Sequence, residues 1–362
     1  MKVVEYKYSS IWPMILSLLV GTPSIGQHQR QEGAKTSVLR TKIERYLLSV
    51  DSTFSYSALV FVDGKLIVQG GYGWTDNSKT FRTTERTLFN VASITKSFTA
   101  TSIFQLREKG TLRLQDTLAR FFQDVPPDKQ SVTLMHLLTH TSGFGQNYVS
   151  DGVVDRDSAV RLILEDSLRF VPGRGFSYSN ENYELLGAII EVVTGKTYED
   201  YVRENIFRRS NMTDTRFWAE ALKLRKNEIA GKYEFIAPGN LGRNWGYIGS
   251  GGIFTTVGDL YRWFNALARG TLLGRSSLEL MWKTHWQLSE TGVTPGWYRS
   301  TTNGVQEIWT RGTESWGHNG VVRWFAAREV LVIVLSNSGE LGDRSTTANR
   351  LISDEIVKII FE

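Results

Sequence analysis

The chain has 362 residues, 41% of them hydrophobic and 22% charged, and carries a net charge of +5 with no long basic block. This is ordinary for a folded protein with ample core and room for two lobes, and it gives no electrostatic footprint for nucleic acid. Cysteine is absent, which excludes thiol nucleophiles, cysteine-ligated zinc and iron–sulfur clusters.

Lys2 and Lys7 precede the apolar run IWPMILSLLV at 11–20, and the small residues of GTPSIG follow. This order predicts a secretory signal peptide over 1–26, with Ser24 and Gly26 at the small-residue positions of the cleavage site. A buried or anchoring N-terminal helix is the other reading; Pro13 inside the run and the polar QHQRQEG after it oppose it. The run is too short to cross a bilayer, and no later segment is long and apolar enough. The expected protein is therefore secreted or periplasmic, without a stable membrane span once the leader is removed.

SVLRTKIERYLLSV at 37–50 has apolar residues at helical spacing, with Ser37 as a candidate N-cap. SALVFVDGKLIVQGG at 57–71 is two β-rich runs joined by Asp63-Gly64, a strong hairpin signal. A helix then starts in NVASITKSF and ends near Gly110, and residues from about 130 to 285 are mostly helical. Two amphipathic helices stand out there, 181–195 and 258–270. Strands return at 305–310, 321–327 and 329–337, and a last helix spans roughly 345–361. Sequential strands with short links predict an antiparallel sheet. The expected fold is α/β of the α+β type: a sheet flanked by the N- and C-terminal helices (about 37–90 and 290–362) around an inserted, mainly helical lobe (about 91–289).

Ser93 and Lys96 lie three residues apart in a helix that is otherwise apolar, so they share a face. In the first helical turn, free backbone N–H groups can stabilise an oxyanion. A lysine held in an apolar cleft loses basicity because burial disfavours its charged form. It can then take the proton of a serine that is otherwise a weak nucleophile. The alternative is that Lys96 snorkels to the surface and Ser93 is a helix cap. Tyr178-Ser179-Asn180 stands just before a helix and supplies a second proton carrier and an orienting amide, or simply packing and a cap. His318-Asn319-Gly320 opens a strand, where the glycine lets backbone approach a ligand closely, or where the histidine is simply a satisfied structural residue.

In this order, Ser93-Ile94-Thr95-Lys96, Tyr178-Ser179-Asn180 and His318-Asn319-Gly320 resemble the three motifs of the serine β-lactamase and penicillin-binding protein superfamily. The Tyr-x-Asn form is that of its class C β-lactamase, DD-peptidase and esterase branch. HLLTHTSGF (136–144), FSYSNENYELLGAIIEVVTG (176–195) and GSGGIFTTVGDLYRW (249–263) look like the same branch, so the resemblance covers about residues 38–360. It implies a β-lactamase/transpeptidase-like fold and an acyl-enzyme on Ser93, with Lys96 and Tyr178 sharing acid–base work. It implies that Asn180 contacts the substrate and that His318 stands where K-T-G has lysine and holds the Tyr–Lys network. The oxyanion hole it implies is the N–H of Ser93 and of Val321, beside Gly320.

Two features depart from that pattern. Histidine in place of lysine removes a permanent cation, which ranks β-lactams below esters and D-amino-acid peptides as substrates. The segment from His318 to Ser336 is also short, and its turn AAREV has no Gly, Asn or Pro, so the cleft edge is expected to be remodelled. His136 and His140, at i and i+4, have helical metal-ligand spacing, but the H-E-x-x-H glutamate and a third ligand are missing, so no metal is expected. Tryptophans concentrated after 245, including Trp282, Trp286, Trp297, Trp309, Trp316 and Trp324, read as core packing first and as an aromatic cleft wall second. The sequence thus predicts an exported, cofactor-free serine hydrolase acting on a small-molecule or peptide acyl substrate. A non-catalytic module that recognises cell-wall peptide or a partner is the alternative, and the oligomeric state is left open.

Overall fold

The computed structural model describes residues 25–50, 55–75, 78–221, 223–224, 228–231, 242–314, 317–338, 340–341 and 346–362. The expected leader falls almost wholly on residues 1–24, outside the described part, as does Trp316. The described helices are α1 (Ile25–Ser49), α2 (Thr95–Glu108), α3 (Leu134–Leu138), α4 (Arg156–Glu165), α5 (Asn180–Thr194), α6 (Tyr198–Val202), α7 (Trp218–Ala221), α8 (Val257–Ala268), α9 (Arg275–Met281) and α10 (Ala348–Phe361). The strands are β1 (Tyr56–Val62), β2 (Lys65–Tyr72), β3 (Phe89–Asn90), β4 (Arg216–Phe217), β5 (Ile253–Thr255), β6 (Trp286–Leu288), β7 (Thr291–Thr294), β8 (Trp297–Thr302), β9 (Val305–Thr313), β10 (Asn319–Phe325) and β11 (Val330–Ser336), with a short pair at 340–341 and 346–347.

Among the described residues, eight strands form one antiparallel sheet in the order β2-β1-β11-β10-β9-β8-β7-β6. β11, VLVIVLS, is buried on both faces, as an interior strand of alternating large aliphatics must be. Its Val330, Val332 and Val334 face Ile43 and Leu47 of α1 and Ile352 and Ile356 of α10. Leu331, Ile333 and Leu335 face the larger core, with Phe98 and Phe104 of α2 and Leu260 and Trp263 of α8. The Phe98 and Trp263 rings stack with centroids 4.1 Å apart. α2 is buried on every side from Thr95 to Leu106, the mark of a central helix.

The Asp63-Gly64 turn joins β1 and β2 with both residues left-handed (φ 49° and 72°), the geometry such a pair favours. α5 ends at Gly195, also left-handed at φ 67°. α1 begins twelve residues before the expected cap; Ser37 lies inside it, and its carbonyl accepts the Thr41 hydroxyl at 3.0 Å. The intervening QRQEGAK is rich in good helix formers, and these carry the helix past a position that only resembled a cap. The glycine-free turn after β10 is made by one helical turn, Ala326–Arg328, and by Glu329 in the left-handed region at φ 47°.

Candidate active site

The chain leaves β3 at Asn90, whose side-chain oxygen accepts the Ala92 N–H at 2.5 Å. That bond holds Ala92 at φ 46°, an uncommon conformation for a residue with a Cβ. The bend delivers Ser93 to the single turn Ala92–Ile94 that leads into α2. Lys96 follows one turn later, and its Nζ lies 3.1 Å from Ser93 Oγ. From the other side comes Tyr178, whose hydroxyl donates to Ser93 Oγ at 2.6 Å. Asn180 opens α5 and its Oδ1 accepts from Lys96 Nζ at 2.8 Å, while Ser179 serves as that helix's cap.

Lys96 also donates to the Ser250 carbonyl at 2.9 Å. It is buried, and burial pushes its pKa down to about 7, against the opposing pull of Glu184, Glu314 and Glu181. A neutral amine has two N–H donors and one lone pair. The two carbonyl oxygens take the donors, and the lone pair is left facing the Ser93 hydroxyl. Burial raises the Tyr178 pKa, so the phenol keeps its proton and donates it. In this geometry the Lys96 lone pair faces the Ser93 hydroxyl and the Tyr178 phenol donates to it.

His140 supports this arrangement. α3 ends at Leu138, so His136 and His140 do not share a helix face. His136 completes a capping box with Thr133. The His140 ring stacks 4.4 Å from the Tyr178 ring, and its Nδ1 accepts the Ser179 N–H at 3.2 Å.

The third motif lies elsewhere. His318 is buried between Phe89 and Phe254, and its Nδ1 accepts the Asn90 N–H at 2.7 Å. Burial lowers its pKa to about 4, so it is neutral. Gly320 and Val321 sit in β10, paired on one side with β9 and on the other with β11. None of the three lines the cleft around Ser93.

The cleft wall is instead the end of β9. Thr310 to Thr313 run past the last β8 partner, Trp309, and leave that edge open toward Ser93. A Cβ on Gly312 would sit 2.2 Å from Val91 O and 2.5 Å from Ser93 N, so only glycine lets the strand come this close. Glu314 N donates to His318 O at 2.7 Å. Antiparallel bonding alternates, so Gly312 also bonds toward β10, and the N–H of Thr313 points to the open edge beside Ser93. The same alternation turns the Val321 N–H toward β11. Only four residues, 326–329, link β10 to β11, and the strand that follows His318 lies in the sheet interior between β9 and β11.

The cleft encloses ≈ 990 Å³. Arg311 and Glu314 line one side and Tyr148 and Asp151 another, and the stacked Tyr298 and Trp309 rings lie 4.6 Å apart on the wall. Of the C-terminal tryptophans, Trp309 lines this cleft, whereas Trp297 is buried in the core beside Trp263 and Trp282. Sequence reasoning missed Ser250, because a carbonyl acceptor has no residue-type signature. It also missed Arg311, Gly312, Thr313 and Glu314. Their one signal was a glycine near the end of a β run, the cue that had been applied to Gly320.

Residues 45–355 match the Beta-lactamase family. The chain belongs to that family, and so is of the serine hydrolase kind. PbpX of Bacillus subtilis (strain 168), named as a penicillin-binding protein, is 29% identical over 338 residues, 90% of this chain and 81% of the relative. Solved structures share the fold. A D-amino acid amidase from Ochrobactrum anthropi SV3 aligns with TM-score 0.74 and 24% identity, covering 90% of this chain and 99% of its own. A class C β-lactamase mutant aligns with TM-score 0.73 and 18% identity over 90% and 97%.

Proposed function

We propose that the protein hydrolyses an ester or amide through an acyl-enzyme on Ser93. The observation that carries this is the convergence on one oxygen of a buried, weakly basic lysine and a protonated tyrosine. Lys96 takes the Ser93 proton as Oγ attacks the carbonyl carbon. The N–H groups of Ser93 and Thr313 receive the developing oxyanion. Tyr178 protonates the leaving group and regains a proton from Lys96, and water then releases the acid.

The substrate class follows from the cleft walls. Arg311 suits a carboxylate, and Glu314 with Asp151 suits an ammonium. A D-amino-acid-containing peptide or amide carries such groups beside its scissile bond, and a simple carboxylic ester fits the same chemistry less selectively. Both rank above β-lactams. The likeness to a D-amino acid amidase supports the D-amino-acid class. Export through the leader at 1–26 belongs to the same proposal and rests on the sequence pattern.

The test is intact mass and product analysis after mixing the protein with a penicillin, a D-alanyl amide and a nitrophenyl ester, with Ser93→Ala as control. An adduct or turnover that vanishes in Ser93→Ala is expected. Turnover that survives the substitution, or no reaction with any of the three, would overturn the proposal and favour a binding module.

A further inference from the structure

Beside Ser93, sharing Ser93, Tyr178, Tyr298 and Arg311 with the open cleft, lies a smaller recess of ≈ 20 Å³. It is bounded on one side by Ser93, Lys96 and Tyr178 and on the other by Thr294, Trp297 and Thr310. One water needs roughly 10–15 Å³ and two to four polar partners.

Thr294 and Trp297 are cross-strand partners that flank the turn between β7 and β8. Both are 1% exposed, and neither Thr294 Oγ1 nor Trp297 Nε1 has a protein partner. A buried polar group left without a partner is destabilising, so two beside one cavity call for an explanation. The turn is pinned in place. Gly296 packs so closely on α2 that a Cβ would lie 2.9 Å from Ala100 Cβ and 3.0 Å from Lys96 O. Its carbonyl accepts the Ser97 hydroxyl at 2.6 Å. The one Ser97 hydrogen is thereby spent, so the 3.1 Å contact between Ser97 Oγ and Thr310 Oγ1 takes the Thr310 hydrogen and leaves Thr310 Oγ1 as an acceptor toward the cavity.

We infer that this cavity binds the water that releases the acyl group, held by Thr294, Trp297 and Thr310 on the side remote from the substrate cleft. The inference rests on Ser93 being the acylated residue. The water oxygen bonds to the acyl carbon and its proton passes to the neutral Lys96 amine. The carbon–Oγ bond then breaks, Oγ takes a proton back through Tyr178 and Lys96, and the carboxylic acid leaves. The leaving group of the first step departs through the cleft, so the water need not wait for it to clear.

The test separates acylation from deacylation. With p-nitrophenyl acetate, the burst of nitrophenolate reports acylation and the steady rate reports release. Thr294→Val keeps the shape and removes the hydroxyl; Trp297→Phe keeps most of the packing against Trp263 and removes the N–H. Each is expected to leave the burst rate within twofold of native and to slow the steady rate at least tenfold, with acetylated protein accumulating by intact mass. Acetylation of Ser93 with an unchanged steady rate in both variants would overturn the water site alone, as would an equal fall in both rates. No acetylation of the native protein would overturn the acyl-enzyme itself, and this inference with it.

Discussion

Two of the buried basic side chains, Lys96 and Arg323, do opposite work. Lys96 and Arg323 are 3% and 6% exposed. Arg323, on β10, meets Glu307 of β9 at 2.8 Å and Asp354 of α10 at 2.6 Å. Those carboxylates outweigh burial and hold its pKa above the ordinary arginine value. Lys96 meets neutral oxygens, the side chain of Asn180 and the carbonyl of Ser250, and among the described residues no carboxylate is ion-paired with it. Its pKa falls to about 7. Burial is common to both; the charge of the partners decides whether the cation is a staple or a base.

Replacing Lys96 breaks the comparison most sharply. Lys96→Met should lower kcat/KM for any acyl substrate by about 10³-fold or more, since the serine loses its base. It should not lower the melting temperature, because a costly buried amine has gone. Lys96→Arg should not rescue activity, because guanidinium keeps its proton. In the native protein kcat/KM should rise with pH through a midpoint near 7, where Lys96 sheds its proton. A flat profile across that range would assign the base elsewhere. The staple should show the reverse pattern. Glu307→Gln leaves Arg323 short of a partner in the sheet and should cost about 3–5 kcal/mol in urea unfolding. Activity per folded molecule should hold.

The same contrast explains what was legible in the sequence. Ser93, Lys96, Tyr178 and Asn180 carry side-chain chemistry, and their positions at helix starts survive folding, so residues singled out in the sequence meet in the structure. The wall opposite Ser93 is made by backbone, and which strand supplies it depends on register. The glycine of the matching motif, Gly320, ended inside the sheet, while Gly312 took the close approach. The hydrogen-bond alternation that turns the Thr313 N–H, and not that of Val321, toward Ser93 exists only once β9 and β10 are paired. Gly312→Ala should therefore cost about 10²-fold in activity, comparable to removing one oxyanion donor. Gly320→Ala should cost far less. Its Cβ would meet the ends of the Leu335 and Ile94 side chains, 2.7 and 3.1 Å away, which can give, rather than the nucleophile's backbone. Equal losses in the two variants would return the wall to β10.

The smallest effect separates two roles for His318. As a substrate-contacting residue, its loss would cut activity and spare stability. In the structure it accepts the Asn90 N–H and bonds the Ala230 carbonyl, so it holds the strand that leads to Ser93. His318→Phe should therefore cost about 1–3 kcal/mol of stability at pH 7, the price of leaving a buried N–H unmade. The pH dependence gives the sharper reading. The folded pKa, about 4, lies below the usual histidine value, so the unfolded chain binds the extra proton first. Native stability should fall as pH drops from about 6.5 toward 4, and this contribution should level off below that. The phenylalanine variant lacks this linkage, so the gap between the two proteins should shrink, or reverse, on going from pH 7 to pH 4. Urea midpoints at the two pH values measure it. A gap that stays constant, with activity lost at both, would restore His318 to the cleft.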